Sequence, residues 1–359
     1  MIRYLYSSRD DSLKPLTLPN FESKTSVIYD KSSIKYIPQE VIEHLYNEVI
    51  ENSLGLNWSK YAYVQYATSI DYMCSALINF AKLRRFNTRA QLVLLYNEYY
   101  KYDKKLETQK SREAQLLDKF AKIYNVILRP IRLLKFKSES STWDTSFTKF
   151  QIFKLLEFDR IIYFDSDSKI VNGNMDELFF LPDVKVAMPI SYHLAKHQGF
   201  IWSDHIMVIK PSVEIYKRLM RLTKAKSKDE YDMDIINKLF QIDNILSRDH
   251  NKDYIPDALV IPHLNYGVLT GDLRSENHDV LLAEPQDLPY VSSSIFQKLR
   301  YIHFSDHPVP KPWRKHIYEH LPDDAKPRIV TDCDSAEIWN SLYEEYEEDR
   351  YDICGLELR

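Results

Sequence analysis

Arg160-Ile161-Ile162-Tyr163-Phe164-Asp165-Ser166-Asp167 runs from an unbroken apolar segment straight into a pair of carboxylates. An apolar run without polar alternation is the pattern of a strand covered on both faces, as in the middle of a parallel sheet. Upstream, 61–67 and 90–96 read as two further strands, and 126–134 is extended around Pro130. Between them, 71–85 repeats Met73, Leu77 and Phe80 on one helical face, and 112–124 and 148–157 are also helical. This alternation predicts an α/β domain with a mixed, mostly parallel sheet and helices on both faces.

Downstream, 185–189, 205–210, 257–262 and 300–304 read as extended pieces. Helices are expected at 212–222, 233–240 and 335–346, the last with Ile338, Leu342 and Tyr346 every four residues. Near the start, 39–52 repeats Val41, Leu45 and Val49/Ile50 at helical spacing. No Pro/Gly/Ser linker divides the chain. The expected organisation is an N-terminal extension (1–58), one main domain (59–320) and a C-terminal helical tail (321–359) packed on it.

Composition excludes several classes. The 359 residues are 44% hydrophobic, enough for a sizeable core, but contain only six Gly, which argues against glycine-rich phosphate loops and repeats. The formal charge of -4 comes without a basic stripe, so no nucleic-acid partner is expected. No stretch approaches the roughly 20 apolar residues of a membrane span, and the polar start MIRYLYSSRDDSLKP is unlike a signal peptide, so the sequence reads as a soluble chain. None of Cys74, Cys333 and Cys354 belongs to a C-x-x-C pair. Cys74 falls in the apolar pattern of 71–85 and reads as a core residue. Cys333 and Cys354 either pair in an oxidising compartment or stay free. The sequon Asn57-Trp58-Ser59 matters only in a secretory protein, and a chance match is the default.

Asp165 and Asp167, two residues apart beyond a buried strand, can face one crevice at the sheet's edge, where ligands of open α/β sheets bind. An Asp-x-Asp by itself is usually a solvated turn. Two carboxylates held together repel unless a hard divalent cation lies between them, and Mg²⁺ or Mn²⁺ bound in this way typically bridges to substrate phosphates. Far downstream, His303 closes an apolar strand and Lys311 stands between Pro310 and Pro312. A neutral imidazole can complete such a metal site, and a lysine can meet a phosphate oxygen.

Together these pieces resemble the retaining glycosyltransferases of family 8, the group of glycogenin and the bacterial galactosyltransferases, over about residues 60–315. The resemblance implies a single GT-A type nucleotide-sugar-binding domain. It implies that Tyr66, Thr68 and Ser69 touch the nucleoside and that Tyr72 stacks on uracil. Lys149, in Thr148-Lys149-Phe150, would reach the donor, Asp165, Asp167 and His303 would hold Mn²⁺ (or Mg²⁺), and Ser166 and Lys311 would meet the diphosphate. Within the family, the stretches 149–182, 231–237, 266–274, 303–313 and 338–343 resemble the fungal Golgi α-1,2-N-acetylglucosaminyltransferases that cap mannan side chains. That subgroup implies UDP-GlcNAc as donor, a mannose-containing glycan or glycoprotein as acceptor, and residence in the Golgi; on its own the anchorless chain would read as cytoplasmic.

Three departures from the wider family bear on mechanism. Asp232-Met233-Asp234 stands where the family carries Asp-Gln-Asp or Asp-Gln-Gly. A thioether is no amide nucleophile, so double displacement through Met233 is excluded, and a front-face mechanism is expected with Asp232 and Asp234 orienting the donor sugar. The alternative is that one of these two carboxylates merely caps the following helix, a role as open for Asp232 as that of orienting the sugar. Ser203-Asp204-His205 replaces Asn-Ser-Gly, and the segment from His303 to Lys311 is two residues longer than the family's pattern and lacks its Gly. Two other functions stay open on sequence: a family-8 hexosyltransferase using UDP-glucose or UDP-galactose, and an inactive glycan-binding protein on the same fold.

Overall fold

The computed structural model of the chain describes residues 35–52, 55–139, 144–192, 201–240, 258–274, 292–307, 309–314 and 333–358. Most of the expected N-terminal extension, and the stretch 315–332 leading into the tail, lie outside them.

Ten strands are formed by the described residues: β1 (Lys35–Tyr36), β2 (Tyr61–Ala67), β3 (Gln91–Asn97), β4 (Val126–Ile131), β5 (Arg160–Phe164), β6 (Ser168–Ile170), β7 (Val186–Met188), β8 (Ile206–Ile209), β9 (Ala258–Val260) and β10 (Tyr301–His303). Eight of them make one sheet in the order β1-β9-β7-β8-β5-β2-β3-β4. All its pairings are parallel except those of β8, which runs antiparallel to β5 and β7. The sheet is therefore mixed and mostly parallel, as the strand–helix alternation predicts.

The nine α-helices among the described residues are α1 (Gln39–Asn52), α2 (Ile70–Arg85), α3 (Arg112–Ile123), α4 (Val213–Ala225), α5 (Asp232–Leu239), α6 (His263–Tyr266), α7 (Thr270–Arg274), α8 (Ser292–Lys298) and α9 (Cys333–Asp349). Side chains alternate along each central strand, so two apolar layers flank the sheet. Tyr63, Leu92, Leu94, Ile162 and Phe164 face the layer that contains α2, α3 and α9. Ala62, Val64, Val93, Leu95, Ile161 and Tyr163 face the opposite layer with α4 and α5. Every residue of β5 is buried, which is why its sequence shows no alternation.

Three local expectations are corrected. The segment expected as a helix at 148–157 is a 3-10 helix, Ser146–Lys154. Every residue from Ser146 to Phe153 is buried, so it lacks the one-sided apolar stripe of a surface α-helix, and Thr148 Oγ1 instead accepts the Leu134 N–H at 3.0 Å. The extended run from Val126 ends at Ile131 rather than 134, where pairing with β3 stops. The apolar piece at 300–304 is extended as expected, at Tyr301–His303, and this strand, β10, pairs antiparallel with β6 in a separate two-stranded ribbon. Finally, Cys354 is bonded to Cys74, 280 residues away in sequence. A π-helical turn, Arg350–Cys354, follows α9 and buries both Arg350 and Cys354 against α2, and Gly355 closes it in the left-handed region (φ 66°).

Candidate active site

Strand order decides where the site sits. From β2 the chain steps to β3 and β4 on one side, while β5 lies on the other side of β2. The carboxyl ends of β2 and β5 thus flank a topological switch point, the place where open α/β sheets bind ligands. Tyr66 to Ser69 leave β2 there, and Asp165-Ser166-Asp167 leave β5 beside them. The Ser166 hydroxyl donates to the Tyr66 carbonyl at 2.6 Å across the gap, and the Gln65 amide donates to the Asp165 carbonyl at 3.2 Å.

The β6–β10 ribbon brings in the distant residue. Its register sets His303 opposite Ser168, and the Phe304 N–H donates to the Asp167 carbonyl at 2.9 Å. As a result, ligand atoms of Asp165, Asp167 and His303 lie within 4.8 Å of one another. His303 Nε2 stands 3.3 Å from Asp167 Oδ1 and 3.8 Å from Asp165 Oδ2. Cis ligands on a small octahedral cation at about 2.1 Å stand about 3 Å apart, and trans ligands about 4.2 Å, so the set fits such an ion after small shifts. Two carboxylates with one imidazole suit Mn²⁺ well. Lys311 Nζ lies 2.7 Å from Asp167 Oδ2 and donates to the Phe304 carbonyl at 2.5 Å, so the longer segment after His303 still returns its lysine to the carboxylates.

A second centre adjoins the first. Lys149, buried in the 3-10 helix, places Nζ 2.6 Å from Asp232, 3.2 Å from Asp204 and 3.4 Å from Asp165. Burial pulls its pKa down, but the three carboxylates outweigh this and hold the ammonium well above its usual range. Burial pushes Asp204 up to about 8, outweighing Lys149, and Asp232 and Asp165 push the same way. Burial also raises Asp165, against Lys149. At Asp167 the desolvation cost is overcome by Lys311 and His303, which hold the carboxyl well below the usual range. Asp232 is depressed too, because Lys149 and Ser146 outweigh its burial.

The remaining expected residues divide. Asp234 turns away from Lys149: its carboxylate accepts the Tyr231 N–H at 2.8 Å and closes the capping box of α5. Of the two carboxylates, Asp234 is thus the cap, and Asp232 is the one at the lysine. Ser69 is the N-cap residue of α2, and the Thr68 carbonyl accepts the Tyr100 hydroxyl at 2.7 Å, which fixes the loop after β2. Tyr66 stacks on Tyr163 with centroids 6.3 Å apart. Tyr72 meets Trp313 edge-on at 4.9 Å, so the residue just beyond Lys311-Pro312 braces the expected base-binding tyrosine.

Sequence reasoning left out Asp204, Tyr163, Trp313 and His205. The Tyr163 hydroxyl donates to Asp165 Oδ1 in a very short hydrogen bond. Asp204 was visible only as a departure from the family pattern, because nothing local says that its partner is Lys149. His205 lies with centroids 5.2 Å from His303 and 5.4 Å from Tyr301, both near-parallel. Burial, with His303, His263 and Lys149 nearby, drives its imidazolium well below the usual range and leaves the ring neutral.

Comparison with known proteins bears on what this arrangement serves. No family model matches the chain. Among characterised sequences, it is 33% identical to glucose N-acetyltransferase 1 of Debaryomyces hansenii, over 88% of this chain and 89% of the relative. It is 35% identical to the protein of the same name from Aspergillus fumigatus, over 83% of this chain and 78% of the relative. This chain belongs to the glucose N-acetyltransferase 1 family. Among solved structures it resembles the bifunctional glycosyltransferase WbbM (TM-score 0.51, 16% identity, covering 84% of this chain and 51% of WbbM). It also resembles an active-site mutant of LgtC (TM-score 0.51, 11% identity, covering 79% of this chain and 95% of LgtC). At such identities these likenesses concern the fold, which is that of the GT-A glycosyltransferases.

Proposed function

We propose that the chain is a retaining glycosyltransferase that moves N-acetylglucosamine from UDP-GlcNAc to a mannose-containing glycan, assisted by Mn²⁺. The observation that carries this reading is the convergence of Asp165, Asp167 and His303 with Lys311 at the sheet's switch point. The likeness to the glucose N-acetyltransferase 1 proteins supports a sugar substrate.

The residues divide the work. Asp165, Asp167 and His303 would hold the cation, which when bound offsets the charge that develops on the leaving diphosphate. Lys311 brings a second positive charge to the same oxygens. Lys149 ties the metal side, through Asp165, to the sugar side, through Asp232, and so keeps donor orientation and leaving-group stabilisation in one rigid unit. Met233 supplies no nucleophile, so the acceptor hydroxyl attacks from the face the diphosphate leaves, and a phosphate oxygen takes its proton. Tyr66 and Tyr72 offer aromatic faces to the nucleoside, beside Thr68 and Ser69. Asp234 acts through α5, whose N-terminus it caps and from whose first turn Asp232 projects.

The Cys74–Cys354 bond supports an oxidising compartment such as the secretory lumen. Among the described residues, no helix is long and apolar enough to cross a membrane.

The test is a donor screen. UDP-GlcNAc, UDP-glucose and UDP-galactose are each incubated with mannoside acceptors, with Mn²⁺ and after chelation, and products are read by mass. Metal-dependent transfer from UDP-GlcNAc supports the reading, and transfer only from another donor, or none, refutes it.

A further inference from the structure

We propose that His205 is a positioning residue: its flat ring sets the orientation of the metal ligand His303, while its backbone fixes Asp165. The proposal rests on the metal site assigned above and extends it to a residue outside the ligand set.

His205 lies just before β8, at the continuation of the antiparallel pairing that puts Phe164 opposite Ile206. Its carbonyl therefore meets the first residue past β5 and accepts the Asp165 N–H at 2.8 Å. The same carbonyl accepts the Tyr301 hydroxyl at 3.1 Å. Its ring reaches the other half of the site. Tyr301 and His303, two residues apart on β10, present their rings on one side of the strand, and the His205 ring lies near-parallel to both, at 9° and 25°. One residue thus touches the Asp-x-Asp side by its backbone and the histidine side by its ring.

The nature of that contact matters. His205 is only 6% exposed, and no side chain hydrogen-bonds either of its nitrogens. It is also absent from the residues whose ligand atoms converge on the cation position. What it gives His303 is a flat surface that limits the rotation of that ring. A metal-bound histidine is normally oriented by a hydrogen bond from its second nitrogen to a carboxylate or carbonyl. His303 Nδ1 is buried and makes no such bond, so packing against His205 takes over the orienting task.

Two variants test this, with Mn²⁺ affinity of the full chain read by the electron paramagnetic resonance signal of free Mn²⁺, without nucleotide. His205→Leu fills the same space without a flat face, and His205→Phe keeps the flat face without any nitrogen. The Leu variant is expected to bind Mn²⁺ about 10- to 100-fold more weakly, the range seen when the groups that orient a ligand are lost. The Phe variant is expected within about threefold of the parent. Unchanged affinity in the Leu variant overturns the proposal. Equal loss in both variants also overturns it, because it would make an imidazole nitrogen the working group. Failure of the parent chain itself to bind Mn²⁺ would instead sink the metal reading on which this rests.

Discussion

Removing the Cys74–Cys354 bond is expected to destabilise the fold by about 3–5 kcal/mol without changing its topology. The perturbation is the double substitution Cys74→Ala with Cys354→Ala, which leaves no half-cystine behind. The bond closes a loop of 280 residues, and the loop-entropy relation gives on the order of 5–6 kcal/mol at 25 °C for that length. Residual structure in the reduced, unfolded chain lowers the expected loss, while native contacts keep the C-terminal segment on α2 and so preserve the topology when the bond is gone. The Arg350 guanidinium pairs with Asp71 at 2.7 Å, and the Tyr346 and Ser75 hydroxyls share a hydrogen bond at 2.6 Å. The assay is urea unfolding followed by tryptophan fluorescence, with the parent measured with and without reductant. Reduced parent and double variant should shift to the same lower midpoint. A thiol count on the denatured, unreduced parent should find one free thiol of the three cysteines. Three free thiols, or identical midpoints for parent and double variant, would refute the reasoning.

Other outcomes follow from the same contacts. Asp167→Ala should keep the native circular dichroism but lower Mn²⁺-dependent transfer by at least about 100-fold; near-parental transfer by the folded variant contradicts the assigned site. Lys149→Met leaves Asp165, Asp204 and Asp232 facing one another in a buried site and should cost about 3–5 kcal/mol at pH 8 in urea unfolding. The loss should shrink at pH 5, where the carboxyls can protonate. Asp272 is raised to about 7, mainly by burial and further by Asp306, against the hydrogen bond from the Leu269 N–H. The folded state therefore holds an extra proton between about pH 4 and 7, and this group's stabilising contribution, full below pH 4, is lost as pH rises through 7. Asp272→Asn should remove that slope, giving a protein more stable than the parent at pH 8 by about 2–4 kcal/mol and little changed at pH 4. A parallel pH dependence for both proteins would count against the assignment.

The central strands were legible because burial on both faces forces continuous apolar sequence, as at 160–164, and β5 falls on those residues. The Asp-x-Asp was legible as a motif, and the topology then set it at a switch point. The 3-10 helix holding Lys149 was not legible, since its burial all round removes the period that separates helix types. Nor was the β6–β10 ribbon, because three-residue strands carry too little pattern to name their partner. The pairing of Cys354 with Cys74 escaped for a related reason: Cys74 looks like any small core residue until the chain returns to it. Asp204 and His205 act on residues 55 and 98 positions away, and no local spacing encodes such distances.

The course of α9 has a consequence for biosynthesis. Trp339 donates to Asp306 at 3.0 Å, Tyr343 and Tyr346 pack on Phe304 at 5.3 and 5.4 Å, and the turn beyond reaches Asp71 and Cys74 on α2. A chain emerging from the ribosome can pair β2, β3 and β5 early, since these strands lie within its first half. The segment with His303 gains its outer support only when residues 339–354 arrive. Until then the newly made protein would hold Asp165 and Asp167 without a settled third ligand, so metal capture should be a late event in maturation.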